Sequence, residues 1–394
     1  MLGLSNRVKA ISPSATLAID TRVKEMIQKG EDVINLSVGE PDTPTPLRAS
    51  YRAIEGIVNG FTKYTNSSGI VELRKRLARK LAEENGLEYD PEQIVVSVGG
   101  KHSLYNAFMA ICNPGDEVVL PAPYWVSYIE QIKLADAVPV IVTTDESTGF
   151  KLTPQMLASA ITPRTKALVL NSPSNPTGAA YTREELQALA AIVVERDIYV
   201  ISDEIYEKLL YTGEHVSIAA LGPELKERTL VVNGFSKAFG MTGWRLGYMA
   251  GPKDVMKAVA DFQSHVTSNV TSIAQLAALG ALDDYDPAQR EMFRERLEYV
   301  YGRIAAMQHV RCVKPQGAFY VFPNVGDCFG KTFRGAVIRD ADHLCELILE
   351  HCRVGVVAGT GFGAPRNIRI SYAVRLERLR EAMDRLERFF AEIE

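Results

Sequence analysis

The chain has 394 residues, 46% of them apolar and 23% charged, with a formal net charge of −4. That is ordinary globular composition, long enough for two domains, and it excludes disordered and fibrous classes. The charge gives no electrostatic case for nucleic acid or an anionic membrane, and no apolar run approaches the roughly 18 residues of a membrane span, so small metabolites are the expected partners.

The segment before Asp20 carries Arg7 and Lys9 but no signal-peptide apolar stretch. Together with five scattered cysteines (Cys112, Cys312, Cys328, Cys345 and Cys352) and no CxxC pair, this points to a reducing, cytoplasmic location. From about residue 69 to 251 strand and helix patterns alternate. Short apolar, β-branched runs predict buried strands at 94–98, 117–120, 139–143, 167–170, 199–202 and 229–232. Helices are expected at 101–112 and 182–197, the second opening on the capping pattern Thr182-Arg-Glu-Glu185, and Asn113-Pro-Gly-Asp116 reads as a turn. Strand–helix succession of this kind predicts an α/β fold whose mostly parallel sheet is covered by helices on both faces.

Beyond Asp286 a charged helix is expected to about His309, then a smaller α+β region ending in an amphipathic helix over 375–393. The expected division is an N-terminal arm at 1–45 returning to the small domain, a large domain at 46–285 and a small domain at 286–394.

Ligands of parallel sheets bind beyond the carboxyl ends of the strands. There the sequence is dense in chemistry. Gly99-Gly100-Lys101-His102-Ser103 opens a helix whose first N–H groups can hold a phosphate; His102 breaks the Walker pattern, so it is no P-loop. Asn171-Ser-Pro-Ser-Asn175-Pro-Thr-Gly178 follows the fourth predicted strand, Asp203-Glu-Ile-Tyr206 the fifth, and Asn233-Gly-Phe-Ser236-Lys237 with Arg245 the sixth. Each alone has a bland reading: a turn, a capping acid, a solvated lysine. Together an amide, a carboxylate with a phenol, a lysine and an arginine suit pyridoxal phosphate. That coenzyme needs an amine for its aldehyde, a carboxylate to keep the pyridine nitrogen protonated, and donors for its phenolate and phosphate.

With these residues in place the sequence resembles the class I aminotransferases of the type-I pyridoxal-phosphate fold, closest to the bacterial aspartate aminotransferase branch that includes prephenate aminotransferases. The resemblance runs nearly end to end. It is carried by Leu36-Ser-Val-Gly39-Glu-Pro-Asp42, Lys63-Tyr64, Gly69, Gly99-Gly-Lys101, Tyr124-Trp125, Asn175-Pro-Thr-Gly178, Ser202-Asp-Glu-Ile-Tyr206, Ser236-Lys237, Arg245, Pro315-Gln-Gly-Ala-Phe-Tyr320 and Arg369-Ile-Ser-Tyr372.

The resemblance implies that Lys237 binds the coenzyme covalently and, once freed by substrate, acts as catalytic base and acid. It implies that Asp203 pairs with the ring nitrogen, Tyr206 and Asn175 hydrogen-bond the ring oxygen, and Tyr124 stacks on the ring. The backbone N–H groups of Gly100 and Lys101, with Ser236 and Arg245, would hold the phosphate, with Tyr64 reaching it from a neighbouring subunit of a homodimer. Arg369 would fork onto the substrate α-carboxylate, with Gly39, Trp125 and Asn175 completing that subsite.

The expected reaction moves an amino group between an amino acid and a 2-oxo acid with ping-pong kinetics. For Lys237 to act as a base its pKa must fall, with Arg245 and the protonated ring favouring the neutral amine. Lys101, whose charge opposes the helix dipole, is expected to face a distal carboxylate, which favours aspartate and 2-oxoglutarate. Prephenate-active relatives typically carry a lysine before Pro-Ser-Ala-Thr, where this chain has Ser12 ahead of Pro13-Ser14-Ala15-Thr16. Aromatic, prephenate or alanine transamination, and a carbon–sulfur β-lyase on the same catalytic residues, remain as alternatives. A helix-turn-helix regulator of this fold is disfavoured, because the family match begins at the N-terminus. A dinucleotide site is disfavoured because Gly359-Thr-Gly-Phe-Gly363 lies late. No metal is expected, the spacing of His343, Cys345, His351 and Cys352 matching no standard zinc set.

Overall fold

A computed structural model of the chain describes residues 3–13 and 15–394. Ser14, inside the Pro13–Thr16 motif, lies outside the described residues; the backbone N–H of neighbouring Ser12 donates to Glu130 Oε2 at 3.2 Å.

A seven-stranded sheet forms the larger body. Across the sheet its strands run Ile94–Ser97, Gly247–Ala250, Thr229–Gly234, Tyr199–Asp203, Thr165–Asn171, Glu117–Ala122 and Val138–Thr143. The last five are mutually parallel. Gly247–Ala250 runs antiparallel to both of its neighbours, so Ile94–Ser97 regains the common direction and its carboxyl end lies at the same edge as the others. Strands such as Thr229–Gly234 are buried along their whole length, which accounts for apolar runs without alternation.

All six predicted strands are present; Gly247–Ala250 was not predicted. It has no β-branched residue and its short apolar run follows Trp244-Arg245. Its glycine has a steric purpose: a Cβ on Gly247 would lie 2.4 Å from the Gly100 backbone nitrogen. The bare backbone therefore lets this strand pass directly under the start of helix Gly100–Ile111. The helix at Arg183–Glu195 begins as the capping pattern requires, with Thr182 Oγ1 accepting from the Glu185 N–H at 3.3 Å and Glu185 Oε2 from the Thr182 N–H at 2.8 Å.

The C-terminal body packs helices Ala288–Ala305, Ala341–Cys352 and Leu376–Ala391 on a three-stranded antiparallel sheet ordered Val357–Ala358, Ile368–Ser371, Tyr320–Val321. Its core centres on Phe293, Phe319, Tyr372 and Phe390. Near the other end of the chain, Ile34–Asn35 pairs in parallel with Val354–Gly355, and Val23 and Val33 pack on Leu349. The segment that follows, residues 36–45, is stitched to both bodies: Asp42 accepts two bonds from Arg296 at 2.7 and 2.9 Å, and Thr45 accepts from Trp244 Nε1 at 2.9 Å.

Candidate active site

A cavity of about 490 Å³ opens between the strand ends, the residue 37–40 segment and the C-terminal body. Its wall brings together Gly39, Gly100, Lys101, Trp125, Asn175, Asp203, Tyr206, Ser236, Lys237, Arg245 and Arg369, eleven of the thirteen residues expected from the sequence.

Lys237 follows the strand Thr229–Gly234, and its Nζ donates to the Gly39 carbonyl at 2.5 Å. Although the residue keeps some exposure, its amine is deep in the cavity. Burial, reinforced by the Arg369 and Arg245 charges, outweighs the opposing Glu40 carboxylate and lowers the amine to about 8. Burial rather than Arg245 is therefore the leading cause, and Glu40 is a counterweight that the sequence reading did not include.

Asp203 ends the strand Tyr199–Asp203, fully enclosed, and burial raises its carboxyl to about 6. The opposing pull comes from Tyr128, whose hydroxyl donates to Oδ2 at 2.6 Å, and from the Ile205 N–H at 3.2 Å. A buried carboxylate held near neutrality is ready for a cationic ring nitrogen, whose charge would restore its ionisation.

Arg369 is the most informative residue. It is 2% exposed, yet among the described residues no carboxylate pairs with it. Nη1 donates to Asn175 Oδ1 at 3.0 Å and Nη2 to the Ser37 carbonyl at 2.6 Å, while buried Nε has no partner. Its guanidinium lies 4.5 Å over the Tyr320 ring and 5.0 Å over that of Phe362. Such a buried cation with an unused donor needs an anion. The three carboxylates in the cavity wall are engaged elsewhere, Asp20 by Lys24 at 2.7 Å and by Asn35, Glu40 by Thr242, and Asp203 by Tyr128.

A second anion-binding corner forms at the start of helix Gly100–Ile111. First-turn N–H groups have no acceptor within a helix. Gly99 has a φ of +80°, and a Cβ there would come within 2.5 Å of Arg245 Nη2, so the glycine lets the guanidinium lie against the helix start. Arg245 is itself left-handed, with a φ of +52°, and Nη1 is braced on the Thr242 carbonyl at 2.8 Å. With Ser236 alongside, this corner fits a phosphate.

Two expected residues lie off the cavity wall. Tyr124 packs behind it, where a Cβ on Gly363 would be 3.0 Å from its ring; its neighbour Trp125 lines the cavity instead, in edge contact with Tyr128 at 5.4 Å. Tyr64 is 92% exposed on the single chain. Asn175 Oδ1 accepts from Arg369, and the Tyr206 hydroxyl meets the Tyr320 hydroxyl at 3.0 Å. Tyr128, Ser37, Glu40 and Tyr320 were given no role from the sequence. Tyr128 stands in the first turn of helix Ser127–Leu134, and nothing in its local sequence marks it.

These strand ends, with a lysine, a buried acid and two anion corners around one cavity, define a coenzyme-dependent α/β transferase. The sequence profile of the family "Aminotransferase class I and II" matches residues 31–386, and the chain belongs to that family of pyridoxal-phosphate enzymes. It is an aminotransferase of the type-I fold, working by a ping-pong mechanism. The chain is 49% identical over 390 residues to an aspartate aminotransferase of Geobacillus stearothermophilus, covering 98% of each. It is 46% identical over 397 residues to an aspartate/prephenate aminotransferase of Cereibacter sphaeroides, covering 99% of each. Among solved structures it superposes on the aspartate aminotransferase of Rhizobium meliloti with a TM-score of 0.96 at 40% identity, covering 100% of both chains. The Thermus thermophilus aspartate aminotransferase with maleate gives 0.93 at 45% identity, covering 99% of this chain and 100% of that one.

Proposed function

We propose that this aminotransferase takes L-aspartate as amino donor and 2-oxoglutarate as acceptor, with pyridoxal phosphate held at Lys237. The observation that carries the proposal is a pair of cations lining one cavity: Arg369, buried and missing a carboxylate, and Lys101, which among the described residues has no acidic partner. A dicarboxylate supplies one anion to each. Lys101 keeps solvent exposure, its Nζ lies 5.0 Å from the Trp125 ring centre, and partial burial followed by the Arg245 charge lowers its pKa, which an incoming carboxylate would offset.

The coenzyme, when bound, withdraws electrons from the substrate Cα through its protonated ring. The chain's own groups do the rest. Asp203 as carboxylate holds the ring proton, and Tyr128 keeps that carboxylate aimed. The backbone N–H groups of Gly100 and Lys101, with Ser236 and Arg245, would hold the coenzyme's phosphate. Arg369 orients the substrate by its α-carboxylate, placing the Cα hydrogen toward Lys237. Lys237 Nζ, lowered by its surroundings to about 8, is neutral in a useful fraction of molecules at pH 7 and carries the proton to and from Cα.

A homodimer is part of the proposal. Helix Leu47–Val58 exposes Leu47, Tyr51, Ile54, Ile57 and Val58, with Phe61 and Tyr64 beyond it, an apolar face that needs covering. A partner there would bring its own exposed loop residues toward this site. The five free thiols favour the cytoplasm.

The test is a half-reaction screen: single amino acids are mixed with the coenzyme-loaded protein and loss of its visible band is followed. Aspartate and glutamate should react fastest, and Lys101→Ala should slow them about tenfold or more while sparing alanine, the loss of one charge-assisted contact. Equal loss for all donors refutes the distal role of Lys101. Prephenate is tested as acceptor in the reverse half-reaction, by return of the visible band after the coenzyme has been aminated by aspartate.

A further inference from the structure

We infer that Tyr320 is a positioning residue that links carboxylate binding at Arg369 to the hydrogen bond on the coenzyme's ring oxygen, acting through Tyr206. This rests on the coenzyme reading above.

The geometry is a three-member stack. Tyr320 is paired with Ser371 across the antiparallel strands, which puts it on the face that also carries Arg369. Its ring lies under the Arg369 guanidinium at 4.5 Å, and its hydroxyl meets that of Tyr206 at 3.0 Å. All three side chains are at most 3% exposed, so water does not offer them substitute partners. The Tyr320 hydroxyl also fills the space beside Gly39, where a Cβ would lie 2.2 Å from it, so the ring has no room to swing aside.

Proton counting gives the direction. Each phenol has one proton to donate. A Tyr206 hydroxyl that donates to the ring oxygen cannot also donate to Tyr320, so Tyr320 must donate to Tyr206. A phenol that accepts one bond donates more strongly in the next. The cation over the Tyr320 ring makes its hydroxyl a better donor, and a substrate carboxylate on Arg369 offsets that cation. Substrate binding therefore weakens the bond to the ring oxygen through two phenols. The other charged groups facing this pair are Asp203, which bears on Tyr206, and Lys237, which shares the cavity.

The test uses the coenzyme-loaded protein and the pH midpoint of its visible band. Parent protein must first show that band and borohydride labelling at Lys237; absence of both sinks the coenzyme reading itself. Given the band, Tyr320→Phe keeps the ring under Arg369 and removes the donor, so the proton affinity of the chromophore should rise about two- to fivefold. Placing 3-fluorotyrosine at 320 strengthens the donor at nearly constant volume and should move the midpoint the other way. Adding a non-reacting dicarboxylate should shift the midpoint less in Tyr320→Phe than in the parent. Opposite movements in the two variants support the relay. Unchanged midpoints in both, or shifts of the same sign, overturn it. Should Tyr320→Phe not fold, the fluorotyrosine protein alone decides by the sign of its shift.

Discussion

Replacing Arg369 with lysine keeps the charge and removes the fork. The guanidinium makes bonds to Asn175 at 3.0 Å and to the Ser37 carbonyl at 2.6 Å, and has Nε free for a ligand. One ammonium on a shorter stem cannot reach both fixed acceptors and present two parallel donors to a carboxylate. The loss of one charge-assisted bond to substrate is about 1.5–3 kcal/mol, and a buried acceptor left unpaired adds about 1–3 kcal/mol. Part of the second cost falls on the free protein, so kcat/KM for aspartate should fall about 100- to 1,000-fold. The assay is single-turnover loss of the visible band against aspartate concentration. It is read beside coenzyme content, which should stay at one per chain because Arg369 is not among the residues that form the phosphate corner. A fall below about fivefold, with the coenzyme in place, refutes the claim that this buried cation is kept for the substrate carboxylate.

Three other expectations follow from the same geometry. Capture of coenzyme by the free protein needs the neutral amine of Lys237. Because burial lowers that amine to about 8, the capture rate should rise about tenfold per unit up to pH 8 and then level; a rise continuing to pH 10 would place the amine in solvent. Behind the Asp203 strand, Lys80 pairs with Glu207, and Asn85 donates to the same carboxylate at 2.7 Å, both charged groups being buried. Glu207→Ala should lower unfolding free energy by about 3–5 kcal/mol in urea titrations, and the Lys80→Met, Glu207→Leu double variant should recover most of it. Ile54→Asp, on the exposed apolar helix, should give a folded monomer by sedimentation with much weakened coenzyme retention.

How much of this was legible depends on where each interaction is written. Asp203 and Lys237 could be placed because a buried parallel strand exposes only its carboxyl end, so the residues just after it are constrained by the strand itself. Arg369 carries no such local mark. It sits on a four-residue strand of the C-terminal body, and only likeness to a family pointed to it. What makes it functional is a deficit, a buried fork with one donor idle, and a deficit exists only once Asn175, Ser37 and Tyr320 have been brought round it from 194, 332 and 49 positions away. The same holds for Tyr128, which reaches Asp203 from 75 residues earlier. Gly247 shows the complementary case: a glycine reads as a break in a strand until the backbone nitrogen of Gly100 is found where its side chain would be. Local patterning thus assigns the groups at the strand ends, such as Asp203 and Lys237, while Arg369 and the groups around it and around them, such as Tyr128, Ser37, Glu40 and Tyr320, belong to contacts between distant segments. The value of about 8 at Lys237 reflects both kinds of group: burial, Arg369 and Arg245 lower it, while Glu40, from the segment whose Gly39 carbonyl accepts from Nζ, opposes them.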